Sequence, residues 1–228
     1  MSDYLHLYAG QKNPQNVAEN GMSLARSTRD GSLITANWKM GLAMQGRVFY
    51  AKVGALSTPV VGGGDGTVID LDQPEFGISI PSGTTLIPIR FAVQATTPLL
   101  ATDADEIDIL AAVDVDTATA FDGTWANTLT PENFITTGGV TTACTVKSVC
   151  SADTTDPVLT LELDHVQVTG DVQSAASVLW TAPRLQYEPE VPPFIVGPAS
   201  VFVYWGGTVA VNAFAQIVWA EIPTTLIS

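Results

Sequence analysis

Histidine, the usual general base, occurs only twice in this chain of 228 residues, as His6 and His165. Asp164 stands beside His165, which invites a reading as a carboxylate-oriented base. Adjacent residues on a strand point to opposite faces, however, and no Gly-x-Ser-x-Gly turn supplies a nucleophile. The pair is therefore read as a surface or partly packed histidine. The two cysteines, Cys144 and Cys150, are separated by five residues, outside the spacing of two to four typical of structural zinc. On an extended strand they would share a face about 20 Å apart and could bridge only across a turn. Two unpaired thiols made in a reducing cell are expected, with an inter-subunit bridge as the alternative.

Oxygen donors are more plentiful: Asp103, Asp105, Glu106 and Asp108, then Asp114, Asp116 and Asp122. An EF-hand loop needs a third acid at position 5 and glycine at position 6, where this chain has Ala118 and Thr119. A calcium site between loops stays open beside the plainer reading of an acidic, solvated face. The glycine-rich run Gly62–Gly66 is followed by Thr67, without the Gly-Lys-Ser/Thr that cradles phosphate, and reads as a flexible hairpin tip. No pair of acids is singled out for glycoside hydrolysis. Of the five tryptophans, Trp38, Trp125, Trp180, Trp205 and Trp219, any exposed one could stack on a sugar, whereas Trp219 falls on the apolar parity of its strand. These residues predict no catalytic set, no cofactor and no metal centre.

The elements that would position them are strands. Threonine (27) and valine (24) are abundant, and glycine and proline punctuate the chain at short intervals. In Thr85 to Ala95 the apolar positions Ile87, Ile89, Phe91 and Val93 alternate with Pro88, Arg90 and Gln94, as on a half-buried strand. In Asp105 to Asp116, Ile107, Ile109, Ala111, Val113 and Val115 face inward, and Glu106, Asp108, Asp114 and Asp116 form an outward acidic face. Leu159, Leu161 and Leu163 repeat the pattern before Val166 and Val168 change parity, as a bulge would cause. Ser200 to Trp205, a turn at Gly206–Thr208, and Val209 to Ile222 read as a long closing hairpin, with Val209, Val211, Ala213, Ala215, Ile217 and Trp219 on one face.

Five prolines between Pro183 and Pro198 predict an extended crossing loop. Helical signal is thin, a single turn at Thr130–Phe134. Residues 41–228, with Arg47–Val53 as the first strand, are expected to form an all-β, jelly-roll-like sandwich. Residues 1–40 read as an extended N-terminal arm, with an apolar tip at Tyr4, Leu5, Leu7 and Tyr8.

Only 14% of residues are charged, 32 where about 57 would be usual. Residues 1–90 balance seven basic against seven acidic side chains, and residues 91–228 hold two against sixteen, so the second part carries the whole net charge of −14. Such a surface repels phosphate, so nucleic acid is not an expected partner. No apolar run approaches the ~20 residues of a membrane span, and no secretory signal is visible at the N-terminus.

Three stretches, Arg26–Leu33 with Met44–Tyr50, Asp70–Phe76, and Val209–Pro223, resemble virion structural proteins of tailed bacteriophages, in particular decoration or cement proteins of the capsid. The C-terminal stretch is similar to the closing strands of trimeric jelly-roll domains. The resemblance implies a homotrimer, made in the host cytoplasm, that braces the major capsid protein on the outside of an icosahedral head. Tyr4, Leu5, Leu7, Tyr8, Arg26 and Arg29 would then contact the capsid, and Phe202, Tyr204 and Phe214 the other subunits. A receptor- or glycan-binding module of a fibre or spike is the alternative on the same fold.

Overall fold

The computed structural model describes residues 37–63, 69–97, 106–115, 121–136, 139–152, 157–169, 182–208 and 210–227. A helix, α1 (Trp38–Met44), precedes β1 (Val48–Val53), β2 (Val60–Val61), β3 (Phe76–Ile80), β4 (Thr84–Ala95) and β5 (Glu106–Asp114). There follow β6 (Thr124–Leu129), β7 (Glu132–Asn133), β8 (Thr145–Ala152) and β9 (Leu159–Thr169). The last strands are β10 (Arg184–Tyr187), β11 (Ile195–Val196), β12 (Ala199–Gly207) and β13 (Asn212–Pro223).

They form two antiparallel sheets, and the fold is all-β. The seven-stranded sheet runs β10-β4-β13-β1-β7, with β11 also on β4 and β2 also on β13. The six-stranded sheet runs β6-β8-β3-β12-β5-β9. Period-two alternation gives the central strands an apolar inner face, and these faces meet between the sheets. Phe49, Phe91, Val93, Ile217 and Trp219 from one sheet join the same cluster as Phe76, Ile78, Ile107, Ile109, Val203 and Trp205 from the other. Each such large side chain contributes about 1.5–3 kcal/mol by leaving water.

The parity expected for β13 holds at Val211, Ala213, Ala215, Ile217 and Trp219, all in this core. Val209 lies outside the described residues. The parity change in β9 coincides with a register shift: Ala111 pairs with Asp164 but Ala112 with Glu162, so Leu163 is the extra residue.

Four local expectations are corrected. The closing hairpin does not form: β12 lies between β3 and β5 in one sheet, and β13 between β4 and β1 in the other. All nine residues of β12 are buried, so it needs cover on both faces and partners on both edges, which a terminal hairpin would not supply. Gly207 belongs to β12, because a Cβ there would sit 1.9 Å from the Glu106 carbonyl oxygen.

In β4, Ile87 and Ile89 do not share a face with Phe91 and Val93. Arg90 pairs with Val218 and Pro88 with Trp219, leaving Ile89 as a bulge. Proline, lacking an N–H to give the ladder, sits at this break. Ile87 and Ile89 thus face outward, under α1.

Third, the segment expected to make a helical turn at 130–134 contains β7, paired with β1. The Asn133 amide donates to the carbonyls of Gly46 (2.6 Å) and Val140 (2.9 Å) and accepts from the Ile135 N–H, holding this segment extended. Fourth, the proline-rich span is more than a loop: β10 and β11 both pair with β4, and the prolines flank them.

Helix α1 was not legible because seven residues are too few to display a period. Asn37 caps it by accepting from the Met40 N–H (2.8 Å). At its other end the Gly46 and Arg47 N–H groups donate to Ala43 and Leu42, with Gly46 at φ 70°. Leu42 and Ala43 cover Val48, Ile87, Val218, Ala220 and Ile222 on the outer face of the seven-stranded sheet. The helix crosses position 40, where arm and body were divided in the sequence.

Candidate functional site

The acidic strand β5 is not a solvated face. Asp108 is 4% exposed and Asp114 fully buried, on the same side as Leu110 and Ala112. The cause is a second apolar cluster on the outer face of the six-stranded sheet. Phe121 and Trp125 stack at 5.0 Å and, with Ile69 and Leu159, cover Leu110, Ala112, Phe202 and Tyr204. Gly77 makes room for them, since a Cβ there would meet the Phe121 and Trp125 rings. Asp114 accepts from the Val158 N–H at 3.2 Å.

His165 comes to Asp108 rather than to its neighbour in sequence. Its Nε2 is 3.4 Å from Asp108 Oδ1 and its Nδ1 4.0 Å from Glu162 Oε1, while Asp164 accepts from the His165 backbone N–H. Burial raises the Asp108 carboxyl above its ordinary range, with the Glu106 charge adding to the effect and His165 opposing it. Among the described residues no hydroxyl or thiol is hydrogen-bonded to His165, so this is a base oriented by acids without a nucleophile beside it.

Among the described residues no three His, Cys, Asp or Glu side chains are grouped to hold a metal. Asp103, Asp105 and Asp116 lie outside them. No helix among them is long and apolar enough to cross a membrane.

Both cysteines are buried thiols, neither in a disulfide among the described residues. The Cys144 thiol is pushed far up by burial, reinforced by the adjacent Glu221 carboxylate, which disfavours its thiolate form. Glu221 accepts from the Thr142 hydroxyl, the Ala143 N–H (2.7 Å) and the Trp219 indole N–H (2.9 Å). It borders a cleft of about 160 Å3 together with Arg47, Phe49, Gly83, Thr84 and Thr141. With its carboxylate committed to three donors, Glu221 ties the 142–144 segment to β13.

Glu75 is the buried acid that the sequence did not flag. One carboxylate oxygen accepts from the Gly63 N–H and the other from the Trp205 N–H (2.9 Å). Burial pushes its pKa up to about 8, and the two backbone bonds pull the other way. Its own carbonyl accepts from Val149, which holds a left-handed φ of 60° that a β-branched residue rarely adopts. The glycine-rich run is accordingly no flexible tip at its start: a Cβ on Gly62 would lie 1.9 Å from the Trp205 carbonyl oxygen. Residues 64–68 lie outside the described part. Only the Pro74-Glu75-Phe76 run before a strand hints at Glu75, and that pattern does not encode burial.

The residues singled out for contact divide sharply. Phe202 and Tyr204 are buried by their own chain, whereas Phe214 is half-buried on the outer face of the other sheet. Tyr4, Leu5, Leu7, Tyr8, Arg26 and Arg29 lie outside the described residues. Trp205 and Trp219 are core, and Trp38 is 40% exposed.

Beside Trp38, the α1 residues Met40 and Met44 are also exposed, and Lys39 pairs with Glu188 at 3.6 Å. That ion pair brings α1 to the span carrying the exposed Val191, Phe194 and Val196. These side chains offer apolar contact surface. No protein family, curated protein or solved structure matches the chain.

Proposed function

We propose that this chain is a structural virion protein of the decoration or cement type, binding the outside of an icosahedral phage head as a homotrimer and bracing the major capsid protein. It works by contact and not by catalysis. The support for a jelly-roll form of the sandwich is the strand order. The order β1-β13-β4-β10 in one sheet faces β3-β12-β5-β9 in the other, with the first and last of these eight strands adjacent. Followed along the chain, they alternate between sheets except at the β5 to β9 step, the pattern of two nested Greek keys used in capsid and lectin domains.

The observation that carries the functional reading is that two segments tied by the Lys39–Glu188 ion pair both expose apolar side chains, Trp38, Met40 and Met44 on one and Val191, Phe194 and Val196 on the other. The first of these segments is the start of the described chain, residues 38–44 of α1. Exposed apolar surface on neighbouring segments fits a protein contact. Binding only the assembled shell would add the free energy of association to the shell's stability. The alternative, a glycan-binding module, has less to draw on, because among the described residues stacking platforms are few: Trp205 and Trp219 are buried and Trp125 lies under Phe121.

Cosedimentation of the full chain with purified phage heads tests the reading. The chain should pellet with heads, and both deletion of residues 1–30 and Trp38→Ser with Met40→Ser should weaken that by about tenfold or more. Heads that leave the intact chain in the supernatant would overturn it.

A further inference from the structure

The outer face of the seven-stranded sheet has two halves. Helix α1 covers the half with Ile87, Val218, Ala220 and Ile222. The other half carries a groove of about 290 Å3 lined by Arg90, Ala92 and Gln94 of β4, Arg184 of β10, and Phe214 and Gln216 of β13. The register aligns Arg184, Gln94 and Phe214 in one row across three strands, and Ala92, Gln216 and Lys52 in the next. Three of the chain's nine basic residues thus share one bare sheet face. The outward positions of β10, β4 and β13 hold no acid at all.

Among the described residues these three charges form no ion pair, and Lys52 lies over the Tyr50 ring at 5.5 Å. The Arg90 Nε is buried without a hydrogen-bond partner. A buried guanidinium donor left open is costly unless something accepts from it. Guanidinium is planar and forked, and carboxylate is the planar acceptor that matches it with two parallel bonds. Phe214 gives the groove one apolar wall, and the Gln216 amide offers a further polar contact.

We propose that this groove is a carboxylate-binding site through which a second copy of the chain docks, its acidic side chains entering between Arg90 and Arg184. Charge complementarity selects the occupant: residues 91–228 carry sixteen acids against two basic residues, so each copy presents what the groove lacks. One of the two edge strands of the six-stranded sheet, β9, bears Glu162 with a 62% exposed side chain and, two positions on, Asp164. A groove on one copy meeting an acidic edge on the next is a head-to-tail contact, which closes into a ring when the rotation allows. The inference rests on the self-association in the function proposed above and is independent of the phage head.

Sedimentation velocity of the full chain reads it directly. The wild type should assemble at about 0.05 M salt and dissociate toward about 1 M, where surface charges are screened. Arg90→Gln with Arg184→Gln should weaken assembly by about tenfold or more at low salt. Arg90→Lys with Arg184→Lys should recover part of it, and at about 1 M salt, where all are dissociated, the variants should keep the wild-type melting temperature. A double glutamine variant that assembles like wild type would overturn the proposal, as would a monomeric wild type. Fluorescence anisotropy with a hexaglutamate peptide adds a second arm: peptide binding by a monomeric wild type would give the groove to a different acidic protein. A wild type that assembles through the arginines but ignores heads sinks the decoration reading alone, and a chain that binds heads as an oligomer unaffected by Arg90→Gln with Arg184→Gln sinks this one alone.

Discussion

The outer faces of the two sheets solve the same problem in opposite ways. On the six-stranded sheet, Phe121 and Trp125 close over Phe202 and Tyr204, and the acids Asp108 and Asp114 are taken inside. On the seven-stranded sheet, α1 closes only half of the face and leaves cations and Phe214 bare. Burial costs a charge its hydration, so a face that swallows its acids is spending stability to remain closed. The face that keeps its arginines in reach of solvent is the one available to a partner. Aromatic residues on two outward faces therefore differ in role although they are alike in sequence.

Substitution at those aromatic positions gives the largest contrast. Phe202→Ala should cost about 3–5 kcal/mol in denaturant unfolding, because its ring is 1% exposed and packed beneath Phe121. Phe214→Ala on the half-open face should cost well under half of that. Equal losses at both positions would break the comparison.

The next effect concerns Glu75, which is buried beside the strained Val149. Its pKa is 4.5 in the unfolded chain and about 8 in the folded one, so the folded state keeps a proton that the unfolded state gives up between those values. The contribution is fully present below 4.5 and is lost as pH rises through about 8. Denaturant midpoints measured across that window should fall with rising pH in the wild type. The slope should flatten in Glu75→Gln, which starts less stable because its amide N–H group faces a backbone donor. A wild type whose midpoint rises with pH through this window would show that the two backbone bonds outweigh burial.

Much of this was readable beforehand in one respect and unreadable in another. The inward set Val211, Ala213, Ala215, Ile217 and Trp219 is visible because side-chain alternation is a local property of an extended chain. The shift in β9 is visible for the same reason, since Leu163 and Val166 differ in parity. Whether β13 pairs with β12 or with β4 and β1 is nonlocal, and a turn such as Gly206–Thr208 permits either. The acids of β5 read as solvated because nothing near them in sequence announces that Phe121 and Trp125 fold over that face.

The smallest expected effects fall on the bare surfaces. Trp38→Ser, with its side chain already 40% exposed, should change unfolding free energy by no more than about 0.5 kcal/mol. Arg184→Gln should be equally silent in thermal melts. A large loss of stability at either position would mean that the surface holds its own chain together, and the division between closed and open faces would need redrawing.

By itself the sequence determined that this protein is built of strands, that its core is made by alternate residues, and that its acidity is confined to the later part. Those are properties of composition and of short-range backbone geometry. The tertiary structure alone decided that Arg90 and Arg184, 94 positions apart, share a groove, and that Glu75 bridges Gly63 and Trp205. The physical reason is that sheet pairing joins segments by backbone hydrogen bonds that are nearly indifferent to side-chain identity. Which residues become neighbours across strands is therefore settled by the packing of the whole sandwich.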